Sequence, residues 1–143
     1  MDFEIVNPPA LGAPRGFNHG ILAPRGGRLL FVAGQVGWDG AAAGTPAGFG
    51  AQFAAALDRV LAVVKEAGGS AADVARLTVY VTDLDAYRAA RGELAEAWRA
   101  RFGAYYPAMA LLQVQGLVDR GAVLEIEATA VIGAAAPARA PQT

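Results

Sequence analysis

Hydrophobic residues recur at two different spacings along this chain of 143 residues. Between positions 49 and 64 they return every three or four residues, which predicts an amphipathic helix that ends at Gly68-Gly69. A second helix is predicted between 83 and 102, with Asp83 or Asp85 as its cap and Gly103 at its end. The apolar positions of the two helices are Phe49, Phe53, Leu57, Val60, Leu61 and Val64, followed by Tyr87, Leu94, Trp98 and Phe102.

The other hydrophobic stretches are short, alternate with polar residues or run continuously, and are typical of strands. Six strands and two helices in this order predict an α+β fold with a mixed sheet and both helices on one of its faces. The predicted strands cover 3–6, 20–24, 28–36, 74–82, 109–114 and 122–132, and the second and third of them form a hairpin around Arg25-Gly26-Gly27.

Two of these strands are apolar on both sides. Leu29–Ala33 and Ala110–Leu112 have no polar residue, as in strands that are covered on both faces. Two helices cover only one face of the sheet, so the other face requires a partner. A second copy of the same chain is the simplest partner, and we therefore expect a homo-oligomer.

Composition and charge exclude several classes of function. Twelve basic and thirteen acidic residues give a net charge of −1, which argues against binding to nucleic acid or to an anionic membrane. The absence of cysteine and the single histidine exclude thiol nucleophiles and sites built from several imidazoles. With no signal peptide and no apolar run of about 20 residues, we expect a cytoplasmic protein. It should form one domain over 1–133, with a disordered Ala/Pro-rich tail at 134–143.

Glu125 and Glu127 are the carboxylates with the most chemical interest. They lie two residues apart on a predicted strand and so share the sheet face opposite Leu124 and Ile126. A buried carboxylate with a raised pKa is suited to general acid or base catalysis. The residues alone favour the alternative, in which both acids are interfacial ion-pair residues, for example with Arg76 on a neighbouring strand, or residues at the rim of an interface.

Two polar residues lie near predicted strand ends. His19 is either an acid/base group or, as lone histidines most often are, a structural hydrogen-bond donor. Gln35 follows Gly34, a residue that lets the backbone approach a ligand, and is otherwise an amide that caps a loop.

Several segments, in this order, resemble the Rid family of reactive intermediate deaminases, also called the YjgF family. The resemblance runs from about residue 14 to 132. The segments that carry it are Gly16-Phe17-Asn18-His19-Gly20, Leu30-Phe31-Val32-Ala33-Gly34-Gln35-Val36-Gly37, the helix with Gln52 and Leu57, Asp73–Leu84, Tyr106-Pro107-Ala108 and Leu124–Val131.

This resemblance implies a chorismate-mutase-like α+β fold with a six-stranded sheet. It also implies a homotrimer with clefts between its subunits, which agrees with the uncovered sheet face. Members of the family hydrolyse enamines or imines such as 2-aminoacrylate to a keto acid and ammonia, and they need no cofactor or metal.

The residues of the family's site map unevenly onto this chain. The arginine that holds the substrate carboxylate as a bidentate partner corresponds to Met109, which cannot do so. The tyrosine of the first motif corresponds to Phe17 and the serine before Gly34 to Ala33, while an asparagine falls at Arg91 or Gly92. The resemblance therefore implies a divergent subgroup that lacks the catalytic arginine.

The expected function is hydrolysis of an imine, an enamine or a related reactive small molecule by water addition in the cleft, with 2-aminoacrylate not the substrate. The alternative is a catalytically inactive trimeric protein that binds a ligand or regulates. The predicted catalytic residues are Glu125, which positions water in the family, and His19; the predicted substrate-binding residues are Phe17, Ala33, Gly34, Gln35, Trp38, Arg91 and Met109.

Overall fold

A computed structural model describes residues 1–37 and 47–133 of the chain. Two subjects of the predictions above, Trp38 and the tail at 134–143, lie outside the described residues. The strands are β1 (Glu4–Val6), β2 (Gly20–Leu22), β3 (Arg28–Val36), β4 (Val74–Val81), β5 (Ala108–Gln113) and β6 (Leu124–Ile132), and the helices are α1 (Phe49–Glu66), α2 (Leu84–Ala89) and α3 (Arg91–Phe102).

The strands form two sheets. The main sheet has four strands in the order β3-β6-β4-β5, in which β5 runs parallel to β4 and the other neighbours are antiparallel. β1 and β2 pair with each other in a separate two-stranded sheet. All six predicted strands are thus present, but the single six-stranded sheet and the hairpin between 20–24 and 28–36 were wrong. Pro24 follows β2 without an amide hydrogen for a ladder, and β2 makes its hydrogen bonds with β1 instead.

The second predicted helix is divided in two at Ala90. Asp83 begins α2 as predicted, because its carboxylate accepts hydrogen bonds from the amides of Asp85 and Ala86. No side chain caps α3, and Gly92 in its first turn is a poor helix former. Among the described residues, no helix is long and apolar enough to cross a membrane.

The hydrophobic core lies between the helices and one face of the main sheet. It includes the predicted apolar positions of α1 and α3 together with the alternate residues of β4 and β6. The prediction that the helices cover one sheet face is therefore confirmed. The most deeply buried members are Leu57, Val60, Val64, Leu77, Val79, Leu124 and Ile126.

The opposite face of the main sheet is not covered by a helix of the described chain. Phe31 is 74% exposed there and Leu112 42% exposed. A concavity of about 510 Å³ lies over this surface and is lined by these two residues and by Arg76, Tyr80 and Glu127, among others. We call this surface the open face.

Gln52 connects α1 to the segment that precedes β6. Its side chain is fully buried, and its Nε2 donates to the carbonyls of Ala47 at 2.9 Å and Gly121 at 3.0 Å. Its Oε1 accepts a hydrogen bond from the amide of Val123 at 3.0 Å. A buried amide with both of its ends satisfied fixes the approach to β6, and so the position of Glu125 two residues further on.

Candidate functional site

The first part of the site is a bulge in β3 beside Glu125. The pairing of β3 with β6 shifts between Val32 and Gln35, where Ala33 and Gly34 stand against a single residue of β6. A side-chain carbon at position 34 would overlap the carboxylate of Glu125 and force it to move, so glycine lets that carboxylate lie against the strand. The Gln35 Nε2 donates to the carbonyl of Ala33 at 3.1 Å, so this amide folds back onto the bulge. The structure therefore brings these four predicted residues together.

Glu127 points to the same face and has a different environment. The Tyr80 hydroxyl donates a hydrogen bond to Glu127 Oε1 at 2.6 Å. This bond raises the pKa of Tyr80 above its ordinary value of 10.0, and burial and the negative charges of Glu127 and Glu125 act in the same direction. Glu127 thus already accepts a hydrogen bond, and the raised pKa of Tyr80 keeps the donating hydroxyl protonated.

The ion pair considered for these two acids is not formed. No carboxylate of the described residues lies within 4.0 Å of the Arg76 guanidinium. Within one chain, Arg76 lies opposite Thr129, whereas Thr78 lies opposite Glu127 and Tyr80 opposite Glu125. That both acids lie in an interface between subunits stays a prediction.

Glu125 differs from Glu127 in its hydrogen bonds. Its side chain is half-buried, and within residues 1–37 and 47–133 no group donates a hydrogen bond to its carboxylate. An acceptor in this position is free to bind a water molecule or a substrate N–H. Of the two acids, Glu125 is the one placed to exchange a proton with a bound molecule.

His19 lies on a segment that runs beside the edge strand β5. Asn18 forms a β-bridge with Ala108, and its backbone N–H donates a hydrogen bond to the carbonyl of Pro107 at 3.0 Å. The His19 Nε2 lies 3.2 Å from the Gly12 carbonyl oxygen, which can only accept, so Nε2 is the donor. The ring meets Phe17 edge-on, with ring centres 5.1 Å apart. These contacts fix the segment, and a catalytic role for His19 remains a prediction.

The second part of the site is a cavity of about 200 Å³ between α3 and β5, on the helix side of the main sheet. Met109 and Arg91, both predicted to bind substrate, line it. Arg15 and Gly16 line it as well. Arg15 was not among the predicted site residues, although it lies only two residues before Phe17 of the first motif.

The two parts of the site lie on opposite faces of the same sheet. Met109 is in register with Leu77, which belongs to the core under the helices, whereas Glu125 is in register with Tyr80 on the open face. One chain therefore does not bring Glu125 and Met109 into one cleft. Among the described residues, no group of three or more acids and histidines is placed to hold a metal ion.

Comparison with known proteins gives a consistent result. A model of the endoribonuclease L-PSP family matches residues 9–132. A RutC family protein of Haemophilus influenzae is 33% identical over 105 residues, which are 73% of this chain and 80% of that protein. The 2-iminobutanoate/2-iminopropanoate deaminase of Rattus norvegicus is 31% identical over 127 residues, covering 88% of this chain and 85% of the relative. The protein of the same name from Escherichia coli is 31% identical over 105 residues, covering 73% and 80%.

Solved structures agree with these relatives. YyfB of Yersinia pestis, a Rid family protein of unknown function, superposes with a TM-score of 0.77 at 32% identity, covering 92% of this chain and all of that one. TdcF of Escherichia coli with bound serine has a TM-score of 0.63 at 30% identity, with 84% and 91% covered. The chorismate-mutase-like α+β fold that the resemblance implied is therefore confirmed.

Proposed function

Because the chain belongs to the Rid family, whose model is described as endoribonuclease L-PSP, we propose that it is a cytoplasmic hydrolase of imines or enamines. Water adds to the carbon of the C=N bond, and the proton that the water loses passes to nitrogen. The C–N bond of the resulting carbinolamine then breaks, which releases ammonia and leaves a carbonyl product. The balance is one imine and one water in, one keto compound and one ammonia out.

The environment of Glu125 is the observation that carries this proposal. Its carboxylate rests against the bare backbone of Gly34 and receives no hydrogen bond from the described residues, whereas Glu127 is already engaged by Tyr80. We assign to Glu125 the removal of the proton from water and its delivery to nitrogen. The backbone at Gly34, which lies against this carboxylate, is assigned the role of orienting the polar end of a substrate, and Gln35 the role of holding the bulge through its bond to the Ala33 carbonyl.

A homotrimer is part of the proposal. Phe31 and Leu112 leave an apolar surface on the open face that other copies of the chain would cover. The cavity at Met109 and the carboxylate of Glu125 lie on opposite faces of one sheet, so a cleft that contains both requires residues from two subunits. The separation within one chain thus supports sites between subunits.

The substrate is proposed to differ from 2-aminoacrylate. The thioether of Met109 stands where the family has the arginine that holds a small substrate's carboxylate, and it cannot form a charged hydrogen bond. Loss of such a pair, about 3 kcal/mol, lowers a rate by about 10²-fold. Two relatives are named 2-iminobutanoate/2-iminopropanoate deaminases, and this chain should be slower than they are on 2-iminopropanoate by at least about that factor.

The experiment that tests the function compares Glu125→Gln with Glu127→Gln. Imines are generated in situ from several amino acids by an amino-acid oxidase, and hydrolysis is followed in competition with semicarbazide. Glu125→Gln keeps the shape of the side chain and removes its basicity, so kcat should fall by about 10²–10⁴-fold while the assembly and the melting temperature change little.

Glu127→Gln is the matched control, since it has the same chemistry on the same sheet face but affects a carboxylate that Tyr80 engages. It should retain most of its turnover. If both variants lose turnover equally and in step with loss of the assembly, Glu125 is structural, and the alternative of an inactive ligand-binding or regulatory protein would replace the enzyme.

A further inference from the structure

The cavity between α3 and β5 has an apolar interior. Its wall includes two aromatic rings, a thioether and three aliphatic side chains: Val79, Leu94, Trp98, Tyr106, Met109 and Leu111. At about 200 Å³ it exceeds the cavities of about 150 Å³ that hold a benzene ring in other proteins. Its volume and its lining therefore suit one aromatic ring or a branched apolar group of similar size.

The aromatic wall of this cavity is rigid. The rings of Trp98 and Tyr106 are parallel to within 5°, with centres 5.4 Å apart, and Phe102 stacks on Trp98 at 4.1 Å. The Trp98 Nε1 donates to the carbonyl of Tyr105 at 3.0 Å, which fixes the indole in its plane. A flat ligand group would meet a surface that is already in place.

The charged side chains that are described in the lining of the cavity are both positive. Arg15 and Arg91 line it, and its lining contains no acidic residue. Neither guanidinium lies within 4.0 Å of a carboxylate of the described residues. The nearest acid on α3, Glu93, turns away and lies against Gly50 at the start of α1. Two exposed arginines that pair with no acid in the described part of the chain attract an anion, and the guanidinium fork matches a carboxylate.

We propose that Arg15 and Arg91 bind the carboxylate of a substrate whose aromatic side chain fills this cavity. The inference rests on the proposed function and names its substrate class, a 2-imino acid with an aryl or similarly large apolar side chain. Met109 then has a positive role, because its thioether contacts the edge of the ring where an arginine would occupy the space. The charge that holds the carboxylate comes from two residues at the mouth of the cavity.

Direct binding tests this assignment without any turnover. We use isothermal titration calorimetry of the full chain with 3-phenylpropionate, a stable carboxylate that cannot be hydrolysed, and with the neutral 3-phenyl-1-propanol. Arg15→Gln and Arg91→Gln should each weaken binding of the acid about tenfold, and the double variant about 10²-fold. Binding of the alcohol should be unchanged in all three variants.

Arg99→Gln is the control for net charge, because Arg99 is an exposed residue of α3 that does not line the cavity. It should bind 3-phenylpropionate as the unchanged chain does. Unaltered binding of the acid by the double variant, or binding of propionate as tight as that of 3-phenylpropionate, would overturn the proposal.

Its failure can be told apart from failure of the proposed function. Glu125→Gln should bind 3-phenylpropionate normally, since the acid needs no proton transfer. If that variant keeps its turnover while the arginine variants lose binding, the catalytic proposal fails and the binding site stands. If it loses turnover while the arginine variants bind normally, the binding site fails alone.

Discussion

The two faces of the main sheet differ in what covers them, although the same strands build both. On one face Leu77 and Ile126 are fully buried beneath α1 and α3. On the other, Phe31 is 74% exposed in the single chain, and the polar pair Tyr80–Glu127 lies in an open concavity. The helix face holds the core of one chain, whereas the open face exposes both apolar and polar side chains, the combination that the proposed trimer would bury.

This difference separates stability from assembly. A residue of the helix face affects the free energy of unfolding at any protein concentration. A residue of the open face, if the proposed trimer forms, affects a property that depends on concentration. Variants of the two faces should therefore differ in how their effects depend on protein concentration.

The largest effect is expected from a charge on the open face. Phe31→Asp would bury an unpaired carboxylate in each interface, which costs about 3–5 kcal/mol and weakens each contact by about 10²–10⁴-fold. Sedimentation velocity at micromolar concentration should show a trimer for the unchanged chain and monomers for the variant. Val118→Asp is the control, because Val118 is 96% exposed and does not line the open face. A monomeric unchanged chain would contradict the trimer directly.

The next effect is expected from the core. Leu77→Ala removes a fully buried side chain and should lower the free energy of unfolding by about 3 kcal/mol. Because the lost contacts lie within one chain, urea titrations should give the same loss at low and high protein concentration. Leu112→Ala, the same change on the open face, should show a loss that grows with protein concentration as the trimer forms. Identical behaviour of the two variants would remove the distinction between the faces.

The smallest effect on stability is expected from Tyr105, which packs against the core on the helix face. Its hydroxyl donates to the carbonyl of Val74 at 2.5 Å, and burial, with the charge of Asp73, raises its pKa to about 12. The folded pKa lies above the ordinary 10.0, so its contribution to stability is complete below pH 10 and disappears as the pH rises through 12. Tyr105→Phe should cost about 1–2 kcal/mol at pH 8 and lose less stability between pH 10 and 12, as measured by urea unfolding. Parallel alkaline curves for both proteins would contradict this assignment.

Features that depend on local spacing could be predicted from the sequence. The helical period of α1, the cap at Asp83 and the shared face of Glu125 and Glu127 follow from residues close together in the chain, and the structure has all three. The family motifs, read as a resemblance, indicated the fold and the positions to compare.

Features that depend on pairing between distant segments could not be predicted from the sequence. The bond between Tyr80 and Glu127 replaces an expected ion pair with Arg76 because the register of β4 against β6 is set by a bulge near Ala75. That Arg15 and Arg91 line the same cavity depends on the segment before β2, which runs beside β5 at Asn18 and Ala108. The alternation of apolar and polar residues is unchanged by a slip of two residues, so it does not determine which residues of distant strands lie opposite each other.

Gly34 has a consequence for how this protein can vary. Its φ is not positive, so its backbone conformation is open to other residues, and what excludes them is the volume that the Glu125 carboxylate occupies. Positions 34 and 125 therefore share one volume. In a library randomised at both positions and selected for folded protein, a larger residue at 34 should occur with a smaller one at 125. Alanine or serine at 34 should be tolerated only beside a shorter acid such as aspartate. An aspartate at 125 has a side chain one carbon shorter, so its carboxylate would lie closer to the strand. Homologues that differ at position 34 would therefore hold their carboxylate at a different distance from the sheet.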